Sequence, residues 1–154
     1  MDFIVEKDPG LIPAVLSNIL DCCINGVTLA DPDLEDMPLV YANKAFETMT
    51  GYTQAETIGQ NCRFLQGTDH DQKEINQLRK AIQNKQPVEV TLKNYRKNGE
   101  LFYNHLLMKP LFDSNGNLLY FLGVHSASSE FYALLFVIFL SFNGREQLRE
   151  RVAT

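Results

Sequence analysis

The chain has 154 residues, of which 45% are hydrophobic, and carries a formal net charge of −5. This length fits one globular domain whose core is large enough to surround a ligand, and it argues against a second domain. With 19 acidic and 14 basic side chains, the chain lacks the positive surface that a polyanionic partner requires, so we expect no nucleic acid as a partner.

The N-terminus and the cysteines indicate a cellular compartment. The segment from Met1 to Gly10 is acidic and contains Pro9, so it lacks the basic start and the long apolar stretch of an export signal. The three cysteines, two of them adjacent, provide neither a metal-ligand spacing nor a disulfide framework, and we expect no metal. We therefore predict a cytoplasmic protein with reduced thiols.

The first predicted elements are a short helix and two strands. Between Leu11 and Leu20 apolar residues recur four apart, which predicts a packed helix within an N-terminal cap of residues 1–24. Two strands are predicted, from Asn25 to Ala30 and from Leu39 to Ala42. The loop between them contains two prolines and four acidic residues, which predicts exposure.

The next stretch carries the start and stop signals of short helices. A helix is predicted from Asn43, and Gly51 suits the left-handed residue that ends it. Thr53 and Glu56 have the spacing of a capping box for a second short helix, which Gly59 ends. These signals predict two short helices in succession.

A third helical region follows a short segment, residues 60–66, that contains Cys62. Asp71 with Glu74 predicts the start of a longer helix. Arg79 borders the apolar stripe of that helix, which places it toward the rim of any site beneath. The stripe is formed by Ile75, Leu78 and Ile82.

Three strands are predicted in the second half, and turn signals separate them. They run from Val88 to Lys97, from Leu101 to Pro110 and from Leu118 to Ser126. Two strands, a group of short helices and three more strands predict an α+β domain over residues 25–126. Its five-stranded antiparallel sheet has helices covering one face, and the other face needs cover or a partner.

Strand alternation aligns polar side chains on an otherwise apolar surface. Asn94, Asn104 and His125 each need a hydrogen-bond partner there, and Gly123 leaves room for a flat ring. Backbone or water would satisfy any one of them, but together they favour a planar ligand edged with carbonyl and NH groups. The rows are Val88, Val90, Leu92 and Asn94; Phe102, Asn104, Leu106 and Met108; and Leu119, Phe121, Gly123 and His125.

The sequence is compatible with two registers of the central hairpin. A three-residue loop, residues 98–100, would place Asn94 opposite Asn104 and Leu92 opposite Leu106. A two-residue loop would instead place the two asparagines on opposite faces.

A thiol and two guanidinium groups lie on the segments predicted to cover this surface. Cys62 alone is more often a small buried hydrophobe than a reactive group, and a lone arginine is usually solvated. Arg63 and Arg79 together, however, suit a phosphate. The combination with the polar row favours a ligand site.

The run Gly59-Gln-Asn-Cys-Arg-Phe-Leu-Gln-Gly67 resembles the signature of LOV (light, oxygen, voltage) domains, a flavin-binding branch of the PAS superfamily. The resemblance extends from about Asn25 to His125. It includes Asn43 with Phe46, Thr50-Gly-Tyr52, Asn94-Tyr-Arg-Lys-Asn-Gly99, Phe102-Tyr-Asn104 and Phe121-Leu-Gly-Val124.

The resemblance implies FMN bound between the helices and the sheet, with Cys62 as the photoreactive thiol below the ring. It implies that Arg63 and Arg79 bind the phosphate and that Asn94 and Asn104 bind the pyrimidine edge. The short connection after Gly67 resembles the FMN form rather than the FAD form. The remaining implied contacts are Thr28, Asn43, Asn61, Leu65, Gln66, Ile75, Leu92, Leu106, Phe121, Gly123 and His125.

In the family that the chain resembles, blue light leads to a reversible bond between the cysteine and flavin carbon C4a. No substrate is turned over, so the resemblance implies a photoreceptor rather than an enzyme. The family usually has glutamine at the place of His125. Imidazole cannot copy the reorientation of an amide, and it titrates near neutrality, so His125 predicts an altered signalling route and a response to pH.

The C-terminal segment, residues 127–154, departs from the mixed-polarity linker helix expected for this family. Phe131 to Phe142 is almost wholly apolar, but 12 residues are too short to span a bilayer. Docking on the exposed sheet face or on a second subunit would bury it, and an altered C-terminus is an equal alternative. Membrane association ranks third, and output would come from oligomerisation or a separate, unidentified partner.

Three other functional classes are compatible with parts of this pattern. A PAS-type interaction module without photochemistry would share the fold and be colourless. A cysteine hydrolase would need His70, His105 or His125 as a base, but no oxyanion hole or orienting acid is evident. A thiol redox sensor would oxidise Cys62 without light.

Overall fold

The computed structural model describes residues 18–127. The predicted helix between Leu11 and Leu20 therefore lies outside the described residues except at its end, where residues 18–21 are helical. The predicted apolar segment from Phe131 to Phe142 lies wholly outside them. Within residues 18–127, no helix has the length and apolar character needed to cross a membrane.

Five strands form a single antiparallel sheet, which confirms the predicted α+β class. Their spatial order is β2-β1-β5-β4-β3, so the first and last strands are neighbours in the interior of the sheet. Each strand pairs with its neighbours in antiparallel orientation. The strands are β1 (Gly26–Ala30), β2 (Leu39–Ala42), β3 (Val88–Tyr95), β4 (Leu101–Phe112) and β5 (Leu118–Ser126).

Short helices between β2 and β3 cover one face of the sheet, and their ends follow the predicted capping signals. Asn43 caps the first helix by accepting from the Phe46 N–H, and Gly51 ends it in the left-handed region at φ 80°. Thr53 and Glu56 form the predicted capping box. The helices are α1 (Lys44–Thr50), α2 (Gln54–Thr57), a 3₁₀ helix (Cys62–Gln66) and α3 (Lys73–Gln83).

The predicted start of α3 at Asp71 is wrong. Gln72 occupies the N-cap position and makes no side-chain cap bond. Its side-chain amide instead accepts from the Lys93 N–H at 2.8 Å and donates to the Lys93 carbonyl at 3.0 Å. Gln72 thus satisfies the backbone of the edge strand β3, and this tertiary contact fixes where the helix begins.

The hairpin between β3 and β4 has a register that neither sequence alternative described. Arg96 donates its N–H to the Glu100 carbonyl at 2.9 Å, so the loop has three residues, Lys97 to Gly99, with Gly99 at φ 86°. Leu92 consequently lies opposite Asn104, and Asn94 lies opposite Phe102. The two asparagines share a face, but they are diagonal neighbours rather than direct partners.

The apolar core lies between this face and the helices. Phe46 and Leu65 are almost fully buried within it, and Phe121 packs there from β5. Leu119 was predicted on the same face, but it is 43% exposed because the β4–β5 register shifts between Leu111 and Phe112. Leu118 packs against the core in its place.

Candidate ligand cavity between the helices and the sheet

A cavity of about 210 Å³ lies between the inner face of the sheet and the covering helices. It has a polar end on the sheet and an arginine-bearing rim on the helices. The predicted binding residues that line it are Thr28, Asn61, Cys62, Arg63, Gln66, Ile75, Arg79, Leu92, Asn94, Asn104, Leu106, Phe121, Gly123 and His125.

Two predicted contacts, Asn43 and Leu65, do not line the cavity. The Asn43 oxygen accepts from the backbone N–H groups of Val27 at 2.8 Å and Phe46 at 3.1 Å, and its nitrogen donates to two carbonyls near β1. The Asn43 side chain therefore links α1 to β1 through hydrogen bonds to the backbone of both. Leu65 is 1% exposed and belongs to the apolar core.

Sequence reasoning left six lining residues out of the proposed contacts. Periodicity in the sequence could have identified three of them as lining residues. Leu78 and Ile82 lie on the apolar helix stripe, and Met108 lies on the inner row of β4. Ala30 alternates with Thr28 on β1, which is a weaker signal of the same kind. The remaining two, Met37 and Leu39, come from the loop before β2 and the start of that strand, where no periodicity marks them.

A chain of side-chain hydrogen bonds crosses the polar end of the cavity. Asn94 Nδ2 donates to the Lys93 carbonyl at 2.8 Å, and Asn94 Oδ1 accepts from Asn104 Nδ2 at 2.9 Å. Asn104 Nδ2 also lies 3.0 Å from His125 Nδ1, and His125 Nε2 lies 2.9 Å from Thr28 Oγ1. Asn104 Oδ1 is buried and has no hydrogen-bond partner among residues 18–127. This oxygen is therefore an acceptor open to a ligand donor.

The imidazole of His125 is 1% exposed, and burial lowers its pKa to about 3. The predicted response of His125 to pH near neutrality is therefore wrong for this structure, because the ring stays neutral. A neutral imidazole has one donor and one acceptor, and both are used in the hydrogen-bond chain.

The thiol of Cys62 lies at the start of the 3₁₀ helix and lines the cavity. Asn61 holds this helix start: its Oδ1 accepts from the Arg63 N–H at 3.0 Å, and its Nδ2 donates to the Asp36 carbonyl at 2.7 Å. Cys62 is half-buried on the wall of the cavity, and desolvation there raises the pKa of its thiol to about 12. Cys62 is therefore a protonated thiol near neutral pH rather than a thiolate.

The rim of the cavity carries two positive charges. Arg63 and Arg79 both line it, and the Arg63 guanidinium is paired with the exposed Asp36 carboxylate. An exposed pair of this kind contributes little to stability, so it leaves the guanidinium available to an anionic ligand. The cavity thus suits a flat ligand with an amide-like edge at one end and a negative group at the other.

A PAS domain family profile matches residues 24–126. The chain therefore belongs to the PAS domain family.

Relatives within that family are light sensors. A curated blue-light photoreceptor from Listeria innocua is 44% identical over 110 residues, which are 71% of this chain and 43% of the relative. The solved LOV domain of a blue-light activated histidine kinase from Erythrobacter litoralis has 48% identity and a TM-score of 0.63, covering 66% of this chain and 94% of that one. An RNA-binding light-oxygen-voltage receptor has 35% identity and a TM-score of 0.75, covering 82% of this chain and 36% of that one.

These similarities place the chain in the LOV branch of the PAS superfamily, as its sequence motifs predicted. The chain spans less than half the length of the Listeria photoreceptor and of the RNA-binding receptor. Any output function of those longer proteins is a property of those proteins and is not assigned to this chain.

Proposed function

We propose that this protein is a blue-light photoreceptor that binds FMN and forms a reversible bond between Cys62 and flavin carbon C4a on illumination. The observation that carries the proposal is the joint presence, in one cavity, of a protonated thiol that lines its wall and a buried amide oxygen without a partner among residues 18–127. The relatives named blue-light photoreceptors support it.

The residues of the cavity fit a flavin. An oxidised flavin presents a carbonyl, an N–H and a second carbonyl along one edge of a flat ring, and side-chain amides are suited to that edge. Asn94 and Asn104 supply such amides, and a ring N–H would give Asn104 Oδ1 its missing partner. Arg63 and Arg79 would bind a phosphate, and this is why we propose FMN rather than riboflavin.

The other lining side chains complete the proposed site. Asn61 and Gln66 stand on either side of Arg63 in the sequence and line the same cavity, and they would contact the ribityl chain or its phosphate. Thr28, Gly123 and His125 form the sheet wall beside the polar edge. The apolar contacts to the ring would come from Ile75, Leu92, Leu106 and Phe121.

Excited flavin supplies the reactivity in this proposal, and the protein supplies position and a proton. Because the pKa of Cys62 is raised to about 12, the side chain holds its proton in the dark and would supply both the sulfur that bonds to flavin C4a and the proton that flavin N5 takes up. The 3₁₀ helix, fixed at its start by Asn61, keeps the thiol in the cavity.

The same thiol argues against the cysteine hydrolase and the light-independent redox sensor. Both need a thiolate at neutral pH, and burial disfavours that form at Cys62. His125 is bonded at both ring nitrogens, so it is unavailable as a base for the thiol.

Replacement of Cys62 by Ala tests the proposal. The wild-type protein should be yellow and should lose its blue absorption band reversibly in light, whereas Cys62→Ala should stay yellow without this bleaching. Cys22→Ala, which removes an exposed thiol, is the matched control and should bleach as the wild type does. Absorption spectra before and after blue light give the result.

Two outcomes of that experiment contradict the proposal. An unchanged photocycle in Cys62→Ala would remove its assigned role. Wild-type protein that stays colourless after incubation with FMN would instead favour the PAS-type interaction module. Signal output through oligomerisation or a separate partner, and a cytoplasmic location, are parts of the proposal that this experiment leaves as predictions.

A further inference from the structure

The two arginines at the rim of the cavity differ in their partners. The Arg63 guanidinium is paired with the Asp36 carboxylate, and the two side chains are 54% and 55% exposed. The Arg79 guanidinium has no hydrogen bond or ion pair to any of residues 18–127. One rim cation is therefore unpaired, whereas the other already has an anionic partner that belongs to the chain itself.

Asp36 lies on loop 31–38, which joins β1 to β2 and contributes Met37 to the wall of the cavity. Asp36 and Met37 have φ angles of 64° and 47°, in the left-handed region that residues other than glycine adopt uncommonly. Asn61 Nδ2 donates to the carbonyls of both, at 2.7 Å and 3.4 Å, and so links this turn to the start of the 3₁₀ helix. The backbone of the turn thus has its own hydrogen bonds, and the Asp36 side chain is left to contact Arg63.

A ligand phosphate would compete with the Asp36 carboxylate for Arg63. Two anions on one guanidinium would lie close together and repel each other. An exposed carboxylate–guanidinium pair is weak, whereas a phosphate carries more charge and accepts two parallel N–H bonds from a guanidinium. The phosphate would therefore displace the carboxylate, and the loss of the internal pair would subtract from the affinity that Arg63 contributes.

We propose that Asp36 is an internal counterion of Arg63 that a ligand phosphate displaces, so that Asp36 limits the preference of the cavity for a phosphorylated ligand over an uncharged one. An uncharged flavin leaves the pair between Asp36 and Arg63 intact, and its affinity does not depend on Asp36. Asp36 is in this sense a specificity-determining residue that acts against the rim arginines. The inference rests on the proposed function, because the ligands that reveal it are flavins.

Replacement of Asp36 by Asn tests the inference. Asparagine removes the charge, keeps the size of the side chain and tolerates the left-handed backbone at this position. The flavin-free form of the whole chain would be titrated with FMN and with riboflavin, and the ratio of the two Kd values is the readout. We expect Asp36→Asn to raise the preference for FMN by roughly two- to tenfold and to leave the Kd of riboflavin unchanged.

Two comparisons separate displacement of a counterion from a general effect of charge. Asp33→Asn removes the same charge from the same loop, but Asp33 has no ion pair within residues 18–127, and this variant should keep the wild-type ratio. In an Arg63→Gln background, adding Asp36→Asn should change the ratio little, because the exchange requires the guanidinium. A simple repulsion between Asp36 and the phosphate would persist without Arg63.

Several outcomes would overturn the inference and leave the proposed function standing. These are an FMN preference that is unchanged or lower in Asp36→Asn, an equal rise in Asp33→Asn, and a rise of the same size in the Arg63→Gln background. Equal weakening of both flavins in Asp36→Asn would show that Asp36 only supports the loop, and it would also overturn the inference. A wild-type protein that binds neither flavin would contradict the proposed function and this inference together.

Discussion

Two threonine–histidine contacts of nearly equal length lie on opposite faces of the sheet. On the inner face, Thr28 Oγ1 lies 2.9 Å from His125 Nε2, and both side chains are buried. On the outer face, Thr91 Oγ1 lies 2.8 Å from His105 Nδ1, with Thr91 exposed and His105 half-buried. The local chemistry is the same, but the inner pair is buried and belongs to the hydrogen-bond chain that crosses the polar end of the cavity.

The difference shows that burial, rather than the threonine–histidine contact itself, determines how costly the loss of the hydrogen bond is. Water can replace either partner of the outer pair, so its loss costs little. The inner pair has no such substitute, and each of its atoms must be satisfied by protein or ligand. A related distinction, between groups that line the cavity and groups that do not, applies to the thiols and the arginines, and three predictions test these comparisons.

The largest expected effect is a difference in labelling rate between two thiols. In the dark at pH 8, a maleimide should label the exposed Cys22 at least about a hundredfold faster than Cys62, because a pKa of about 12 leaves roughly one thiolate in ten thousand. Mass spectrometry of peptides over time measures both rates. Equal labelling of the two after unfolding is the control, and similar rates in the folded protein would contradict the raised pKa of Cys62.

The arginines at the rim should control which flavin binds. We expect Arg63→Ala with Arg79→Ala to reduce the preference for FMN over riboflavin by roughly a hundredfold, since two charge-assisted contacts to phosphate are lost. Arg96→Ala is the control, because Arg96 lies 4.7 Å over the Phe102 ring and does not line the cavity. Titrations with both flavins give the preference, and an unchanged value in the double variant would exclude these arginines as the phosphate site.

The histidines should differ in their effect on acid stability. The folded pKa of His125 is about 3, below its unfolded value, so the unfolded chain binds more protons at pH 5. Proton binding to the unfolded chain therefore lowers the free energy of unfolding by roughly 2 kcal/mol at pH 5 relative to pH 8. The free energy of unfolding falls further as the pH approaches 3.

Urea unfolding at the two pH values measures this effect. His125→Gln should remove that part of the pH dependence, whereas His105→Gln on the outer face should keep it. If His125→Gln and the wild type lose the same stability between pH 8 and pH 5, His125 does not remain neutral when buried.

Local signals in the sequence predicted much of the fold. Gly51 and the Thr53 capping box predicted helix ends correctly, because these rules depend on a few neighbouring residues. Alternation along the strands placed Asn94, Asn104 and His125 on one buried face, because the period of two is a property of the strand itself.

The features that sequence reasoning missed depend on contacts between distant residues. Gln72 begins α3 because it binds the β3 backbone, and Asn43 lies outside the cavity because it fastens α1 to β1. The neutrality of His125 depends on burial that only the assembled sheet provides. None of these contacts leaves a periodic or compositional signal.

The place of β1 beside β5 has a consequence for both ends of the domain. Gly26, the first residue of β1, pairs with His125, the penultimate residue of β5. Paired strands lie about 4.8 Å apart, so the polypeptide enters and leaves the sheet at adjacent points. Two fusion partners, one attached near residue 25 and one near residue 127, would therefore start side by side. Each attachment point lies within two residues of the pair formed by Gly26 and His125.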